Sequence, residues 1–498
     1  MSGLLQSVKK QSTSFIEILY SSPRTLLAII LLVTCLKASL IIYLTQCSNP
    51  EIKLGNISFS SGDTFSYTGA TENLVTHGSY YFYNGKENVY AGRTPHYGVI
   101  YFLLRLLFDM KMSYDILIVI QLLIESIAIF YLFRLCYQLT SSKIASLAVL
   151  AICLISTNWL SFSLYASPES LSISFLIFFL YRFRKYTITR HNLDLVNAGL
   201  FLSILVCLKV YYILVFLPVG AYFFWEDSVA FRQLLGKVIF KSALISLPLF
   251  VLLTPWVIRN YVLLDRFIPF QINSTAGYNY SNSELAFRKY VTSWGGEIIF
   301  WSRNSAGCYF MPWDKVECDF QMPTYAFTRN FGATQVEEVR AMYIRLQHNY
   351  SDSLDRKVST LFLQMHNEYK AEKPVEHYIL SPARLTYKFL VHSGSYYLPI
   401  HKSNPCYSSF QLPIKAAQSF SYWLCLLIGL PGILILAYQK REIILPFIPI
   451  MLIILFPIVL KTTEARYFRT VEPILLIGVG YVIHLMINRV KSNGAKII

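Results

Sequence analysis

Residues 61–108 read SGDTFSYTGATENLVTHGSYYFYNGKENVYAGRTPHYGVIYFLLRLLF, an order that brings an acid, an aromatic and a cation into one loop. Asp63 comes first, Tyr67 stands four residues on, and Arg93-Thr94-Pro95 follows. Close to a membrane surface, an Asp can take a proton from an acceptor, while an Arg held by a proline-fixed turn stabilises phosphate oxygens as they leave. The same Asp, after Gly62 and before Thr64, is equally suited to a helix N-cap or a turn. Lys209 ends an apolar run in LVCLKVYYILVFLP, and an ionisable group at membrane depth is a functional candidate by default, here for a lipid phosphate. Lys37 lies within the first apolar run and is free to snorkel outward. His96 follows Pro95 with no HExxH or other metal-ligand spacing around it, so it reads as a structural or substrate hydrogen-bonding group and no metal is expected there. The chain has no GxSxG elbow, P-loop or dinucleotide signature, which argues against a nucleotide-sugar donor or ATP coupling.

The elements that must hold these groups are membrane spans. Of 498 residues, 54% are hydrophobic and 14% charged, where a soluble domain carries roughly a quarter charged. Apolar runs near 25–45, 114–138, 143–165, 170–183, 195–208, 210–225, 238–257, 417–438, 442–460 and 471–488 each approach the length needed to cross ~30 Å of hydrocarbon. The fold class expected is an all-α polytopic membrane protein of about ten transmembrane helices. The net charge of +16 does not call for nucleic acid, because Lys and Arg gather in short clusters beside apolar runs, where they orient helices. The first stretch, opened by Arg24, ends in Thr45-Gln46-Cys47, a poor cleavage site, and is expected to stay as a signal anchor.

Segment 97–108 is apolar but only 12 residues long and carries Arg105. If it does not span, the clusters at Arg182 to Lys185, Lys440-Arg441 and Arg489 to Lys496 fall on the side of the basic N-terminus, and both termini are cytoplasmic. It is therefore expected as an amphipathic helix at the outer interface. Three regions follow: 1–257, transmembrane, with an extracytoplasmic loop at 46–113; 258–416, a folded extracytoplasmic cap of mixed structure; and 417–498, the last spans. Whether Cys308 pairs with Cys318 in that cap is left open by their spacing.

The pattern of the first loop resembles the first extracytoplasmic loop of the GT-C glycosyltransferase superfamily, in which an Asp, often Asp-Glu, precedes a Tyr, and a basic residue precedes a Pro-rich turn. Asp63 holds the acid position and Arg93-Thr94-Pro95 the basic one; Thr64 departs from the second acid. LYASPESLSISFLIFFLY is similar to the family's short loop whose acid begins the next helix, which names Glu169. LTPWVIRNYVLLDRF resembles the Pro-Trp-x-x-Arg-Asn signature of bacterial members related to lipid A aminoarabinose transferases and protein O-mannosyltransferases, which names Arg259. KTTEARYFRTVEPILLI is similar to the Arg-Tyr before the last span, which names Arg466 and Tyr467.

The resemblance implies a GT-C-like bundle in the bacterial inner membrane that moves a sugar, with inversion, from a polyprenyl-phosphate carrier to a glycan, lipid or protein acceptor at the outer face. Asp63 would be the general base and Glu169 an orienting acid. Arg93, Arg259, Lys209 and Arg466 would meet the lipid phosphate, and Tyr67, His96 and Tyr467 the substrates. No cofactor is obligatory, although some members use a divalent metal. Two other classes stay open. A lipid or solute transporter would show inverted repeats and helices broken at midplane, and no repeat is visible; a non-catalytic assembly protein would tolerate loss of Asp63.

Overall fold

A computed structural model describes residues 23–46, 50–83, 88–156, 158–226, 231–271, 281–312, 316–395, 411–440 and 442–494. The basic residues before Pro23, together with Cys47, Cys406 and Arg441, lie outside the described residues. Two compact units appear. One comprises 1–277, 393–447 and 470–498; the other comprises 278–392 and 448–469.

The chain is a helical polytopic membrane protein, and every apolar run expected as a span contains a helix. Among the described residues, Leu27–Gln46, Met110–Thr140, Leu235–Leu264, Gln411–Lys440 and Glu472–Val490 are long and apolar enough to cross a bilayer. Lys143–Ile155, Asn192–Leu208, Val210–Trp225 and Ile444–Val459 are shorter apolar helices. The expected span 143–165 is not continuous: its helix stops at Ile155, and a second one, Asn158–Ser163, begins beyond Ser156. Glu169–Thr189 ends in the basic stretch around Arg182, Arg184 and Lys185. These charges are held at that end, where Lys185 and Arg182 pair with Asp194 at 3.0 and 3.6 Å and Arg184 pairs with Glu442 at 2.6 Å.

Within the first unit, Gln411–Lys440 crosses the last helix at glycines. A Cβ on Gly478 would stand 2.0 Å from the Gly429 carbonyl oxygen, so only hydrogen at this position allows the backbones to meet. Lipid offers no hydrophobic gain for helix association, and such close contact supplies packing in its place.

The segment 97–108 forms a helix, His96–Arg105, of 10 residues. At 1.5 Å per residue it covers about 15 Å, half a bilayer core. Arg105, the residue least compatible with a span, lies against the loop-one helix Thr64–His77: its Nε and Nη2 donate to the two carboxylate oxygens of Glu72, each at 2.9 Å, and the Tyr101 hydroxyl adds a third bond at 3.0 Å. The Arg105 guanidinium holds the Glu72 carboxyl below its usual range, overcoming the opposing effect of burial. A lowered folded-state pKa means that this stabilisation is complete above the usual value of 4.5 and is lost as pH falls through the lowered one. Glu72→Gln is accordingly expected to cost about 1.5–3 kcal/mol at neutral pH and to flatten the acid limb of the stability curve. Urea titrations of both forms at pH 7 and at acid pH check this, and an unchanged acid limb contradicts it.

The second unit, where a mixed cap was expected, is built from helices among the described residues, with Asn282–Ser293, Ala333–His348 and Asp352–Glu372 the principal ones. Its core is aromatic, with Phe287, Tyr290, Trp294, Phe310, Tyr343 and Phe362 packed together. Cys308 and Cys318 are free thiols; burial and the neighbouring Cys318 push the Cys308 thiol up to about 12.

Candidate active site

The first loop is tied to the bundle by its own backbone. Phe59 N donates to the Leu164 carbonyl at 3.0 Å, and Ala166 N donates to the Phe59 carbonyl at 3.2 Å. This short parallel bridge places Asp63, four residues after Phe59, beside the chain that leads into Glu169. Asp115, accepting from Asn56 N, Ile57 N and the Ser58 hydroxyl at 2.8–3.0 Å, clamps the preceding turn. On the other side Thr94 donates to the Cys207 carbonyl at 2.8 Å, fastening the Arg93–Pro95 turn to the end of Asn192–Leu208, where Lys209 is the next residue.

Asp63 stands at the N-cap position of Thr64–His77, but its side chain makes no capping bond. The ordinary helix-start role is thus not the one its carboxylate performs. Its carbonyl accepts from the Ser66 amide and hydroxyl at 3.0 and 2.7 Å. The Ser66 hydroxyl also accepts from Arg93 Nε at 3.0 Å, while Arg93 Nη1 donates to the Tyr67 hydroxyl at 2.7 Å. The guanidinium lies 3.9 Å from the centre of the Tyr67 ring, well inside cation–π range. All of these partners are neutral, and Arg93 forms no ion pair among the described residues.

Tyr67 joins the two cations. Lys209 Nζ lies 3.4 Å from the Tyr67 hydroxyl and donates to Glu169 Oε1 at 2.7 Å. Both members of that pair are buried, and a buried ion pair needs good geometry to offset its desolvation. Glu169 begins Glu169–Thr189 after Pro168, an acid in the first turn. Its Oε1 goes to Lys209 from the neighbouring helix.

Five of the residues named from sequence, Asp63, Tyr67, Arg93, Glu169 and Lys209, therefore converge. Arg259 and His96, in the same unit, make other contacts. Arg259 directs Nη1 to the Tyr90 carbonyl and Nη2 to the Tyr80 carbonyl, each at 2.6 Å, with the Trp256 ring 4.9 Å away. Expected on the lipid phosphate, it ties Tyr80 to Tyr90 in this structure, because its fork matches their two carbonyls. His96 binds the Leu252 carbonyl through Nε2 at 3.2 Å, and its Nδ1 is buried with no hydrogen-bond partner among the described residues. Burial holds its pKa below the usual histidine value, so the ring is neutral with an unused acceptor at Nδ1. Arg466 and Tyr467 belong to the second unit, where Arg466 pairs with Glu464 at 2.6 Å and Tyr467 stacks on Phe456 with centroids 4.1 Å apart.

Sequence reading missed a second charged pair. Lys37 does not snorkel: only 4% exposed, it pairs with Glu125, 1% exposed, in the middle of Met110–Thr140. The other Glu125 oxygen accepts from the Ser163 hydroxyl, which lies 2.8 Å from that of Ser170, the residue after Glu169. Gln121, one turn from Glu125, accepts from the Tyr97 hydroxyl and donates to the Ser163 and Tyr165 carbonyls, each bond 3.1 Å long. An acid amid a long apolar helix was the available signal, since such residues are rare and face partners inside the bundle.

No group of three or more His, Cys, Asp or Glu side chains gathers as a metal site among the described residues. Neither a family model nor a curated protein sequence matches the chain. Among solved structures, the chain is similar to the archaeal oligosaccharyltransferase AglB from Archaeoglobus fulgidus, in complex with an inhibitory peptide and a dolichol-phosphate, at 12% identity and a TM-score of 0.47, covering 94% of this chain and 51% of that one. A second structure of the Archaeoglobus fulgidus oligosaccharyltransferase, tethered with an acceptor peptide containing the NVT sequon, gives 11% identity and a TM-score of 0.47, covering 94% and 50%. This chain spans about half the length of either. A likeness of this degree carries no functional argument, and the site must speak through its own chemistry.

Proposed function

We propose that the chain is a GT-C-type glycosyltransferase that moves a sugar from a polyprenyl-phosphate carrier to an acceptor at the outer face of the membrane. The observation that supports this most is Arg93: a cation seated on Tyr67, bonded among the described residues only to neutral hydroxyls, beside a loop whose acid does not cap its helix. A cation held without a counter-ion favours an anionic ligand, and a phosphate suits a guanidinium fork.

In the proposed step Asp63 takes the proton of the acceptor hydroxyl as its oxygen attacks the anomeric carbon. The bond from that carbon to the phosphate oxygen breaks, its electron pair leaves with the polyprenyl phosphate, and the sugar carbon inverts. Arg93 faces the developing phosphate charge, and a preorganised donor there lowers the barrier because it need not reorient during reaction. Lys209 contributes less, since Glu169 already offsets its charge; their pairing fixes the ammonium beside Tyr67. Arg259 acts indirectly, by holding Tyr80 and Tyr90, the latter shortly before Arg93. No step is routed through a metal, and none is assigned to Arg466 or Tyr467.

The test uses the purified chain in proteoliposomes, offered polyprenyl-phosphate sugars and nucleotide sugars in parallel with a mixture of hydroxyl acceptors. Release of free polyprenyl phosphate, together with a glycosylated acceptor, is the expected result. Turnover of the nucleotide sugar alone, or movement of the lipid across the bilayer without bond cleavage, overturns the reading and in the second case favours the transporter.

A further inference from the structure

The second unit contains an apolar face that the proposed reaction does not use. From Glu376 to Leu380 the helix widens into a π-turn, and Ser381–Leu390 continues from it. One side of Ser381–Leu390 is buried, with Leu385 and Phe389 fully enclosed. Phe389 packs on Phe456, centroids 6.0 Å apart, and on Phe468 at 5.8 Å. Phe456 belongs to the last turns of the apolar helix Ile444–Val459. The other side is open: Val375, Tyr378, Ile379, Leu380, Tyr387 and Val391 are exposed, Ile379 at 63% and Tyr387 at 64%.

A face of this size on a water-soluble surface would mark an interaction site. Here its neighbour identifies the occupant. The same apolar helix that Phe389 packs against is itself exposed at Ile454, Ile458, Val459 and Leu460, with Val459 at 62%, as a lipid-facing end of a membrane helix should be. The chemistry around the face is that of a headgroup layer. Tyr378 and Tyr387 are amphipathic aromatics, Lys370 Nζ lies 5.8 Å from the Tyr378 ring centre, and Lys461 follows the apolar helix by two residues. Tyr beside Lys is the usual dressing of the membrane–water boundary. Burial, with a smaller effect of Lys370, holds Lys461 below the usual lysine value. Other charged groups of the segment are Glu376 on the same turn, Arg384, which donates to the Trp294 carbonyl at 3.0 Å, and Lys388, which pairs with Glu297 at 3.5 Å.

We infer that the segment 375–391 is an interfacial element that lies in the lipid headgroup layer, with its apolar face turned to acyl chains and Lys370 and Lys461 toward anionic headgroups. An amphipathic helix in this position binds through its buried apolar area and through attraction to anionic lipid.

The experiment introduces a photo-reactive benzoylphenylalanine at Tyr378 or Tyr387 of the full chain, with Tyr350, 54% exposed on the same unit, as the control. The protein is reconstituted in vesicles of phosphatidylcholine and phosphatidylglycerol, irradiated and weighed by intact mass spectrometry. The expected result is a mass gain of one phospholipid at positions 378 and 387 and none at 350, with the phosphatidylglycerol share of the adduct reduced in the K370S/K461S background. An adduct joining two chains would show that a second copy covers the face and overturns the inference. So do the absence of any adduct at 378 and 387, and equal lipid capture at 350. Because the readout is mass, it is independent of whether the chain transfers sugar.

Discussion

Asp63→Asn leaves the protein at its normal level in the membrane and lowers sugar transfer by about 10²–10⁴-fold, the usual contribution of a positioned general base. The two halves of this expectation have separate origins. Stability is retained because the Asp63 side chain makes no capping bond and Asn is as well accepted as Asp at a helix N-cap. Activity falls because the amide cannot take the acceptor proton. The Ser66 bonds to residue 63 are made to its backbone carbonyl and survive the exchange, so Arg93 and Tyr67 keep their places. The measurement is initial-rate transfer in proteoliposomes beside a quantified immunoblot of the membrane fraction. Wild-type transfer by the Asn form would falsify the role of Asp63 as base, whereas loss of the protein itself would assign the residue to folding.

The largest stability effect is expected at Glu125. Replacing it with Leu leaves the Lys37 ammonium buried among apolar helices without its carboxylate, and breaking a buried pair in this way costs about 3–5 kcal/mol. The Ser163 hydroxyl loses its acceptor as well, and through Ser170 the disturbance reaches the first turn that carries Glu169. The double variant K37M/E125L is expected to regain most of the loss, because well-packed apolar side chains of similar volume often replace a buried pair without penalty. Thermal unfolding of the wild type and the two variants in one detergent decides the matter. If the double variant is as unstable as Glu125→Leu alone, the cost lies in packing around residue 125 and not in the stranded charge.

The helical plan was legible because a bilayer imposes its length on the sequence. Runs of apolar residues close to the needed length became helices, and Arg105, which pairs with Glu72, marks 97–108 as a short helix. The break at Ser156 was not legible, since Ile155, Ser156 and Trp159 are all compatible with a continuous apolar run. The candidate site was legible in part. Asp63, Tyr67 and Arg93 are near in sequence and close in space because one helix and one turn carry them.

Lys209 and Glu169 drew attention one at a time, but nothing in either local sequence says that they face each other. Their pairing depends on the crossing of two helices, as does that of Lys37 with Glu125, residues 88 apart. By itself the sequence determined that the chain enters the membrane many times, that its cations gather at helix ends, and which loop holds an acid and a cation. The tertiary structure alone decided which charges are paired and which are not. Among the described residues Arg93 forms no ion pair, Lys209 is offset by Glu169, and Arg259 is turned to loop carbonyls. The physical reason is that hydropathy depends on what each residue is, whereas electrostatic state depends on which groups approach within a few ångströms, and for these residues that is set by helices far apart in the chain.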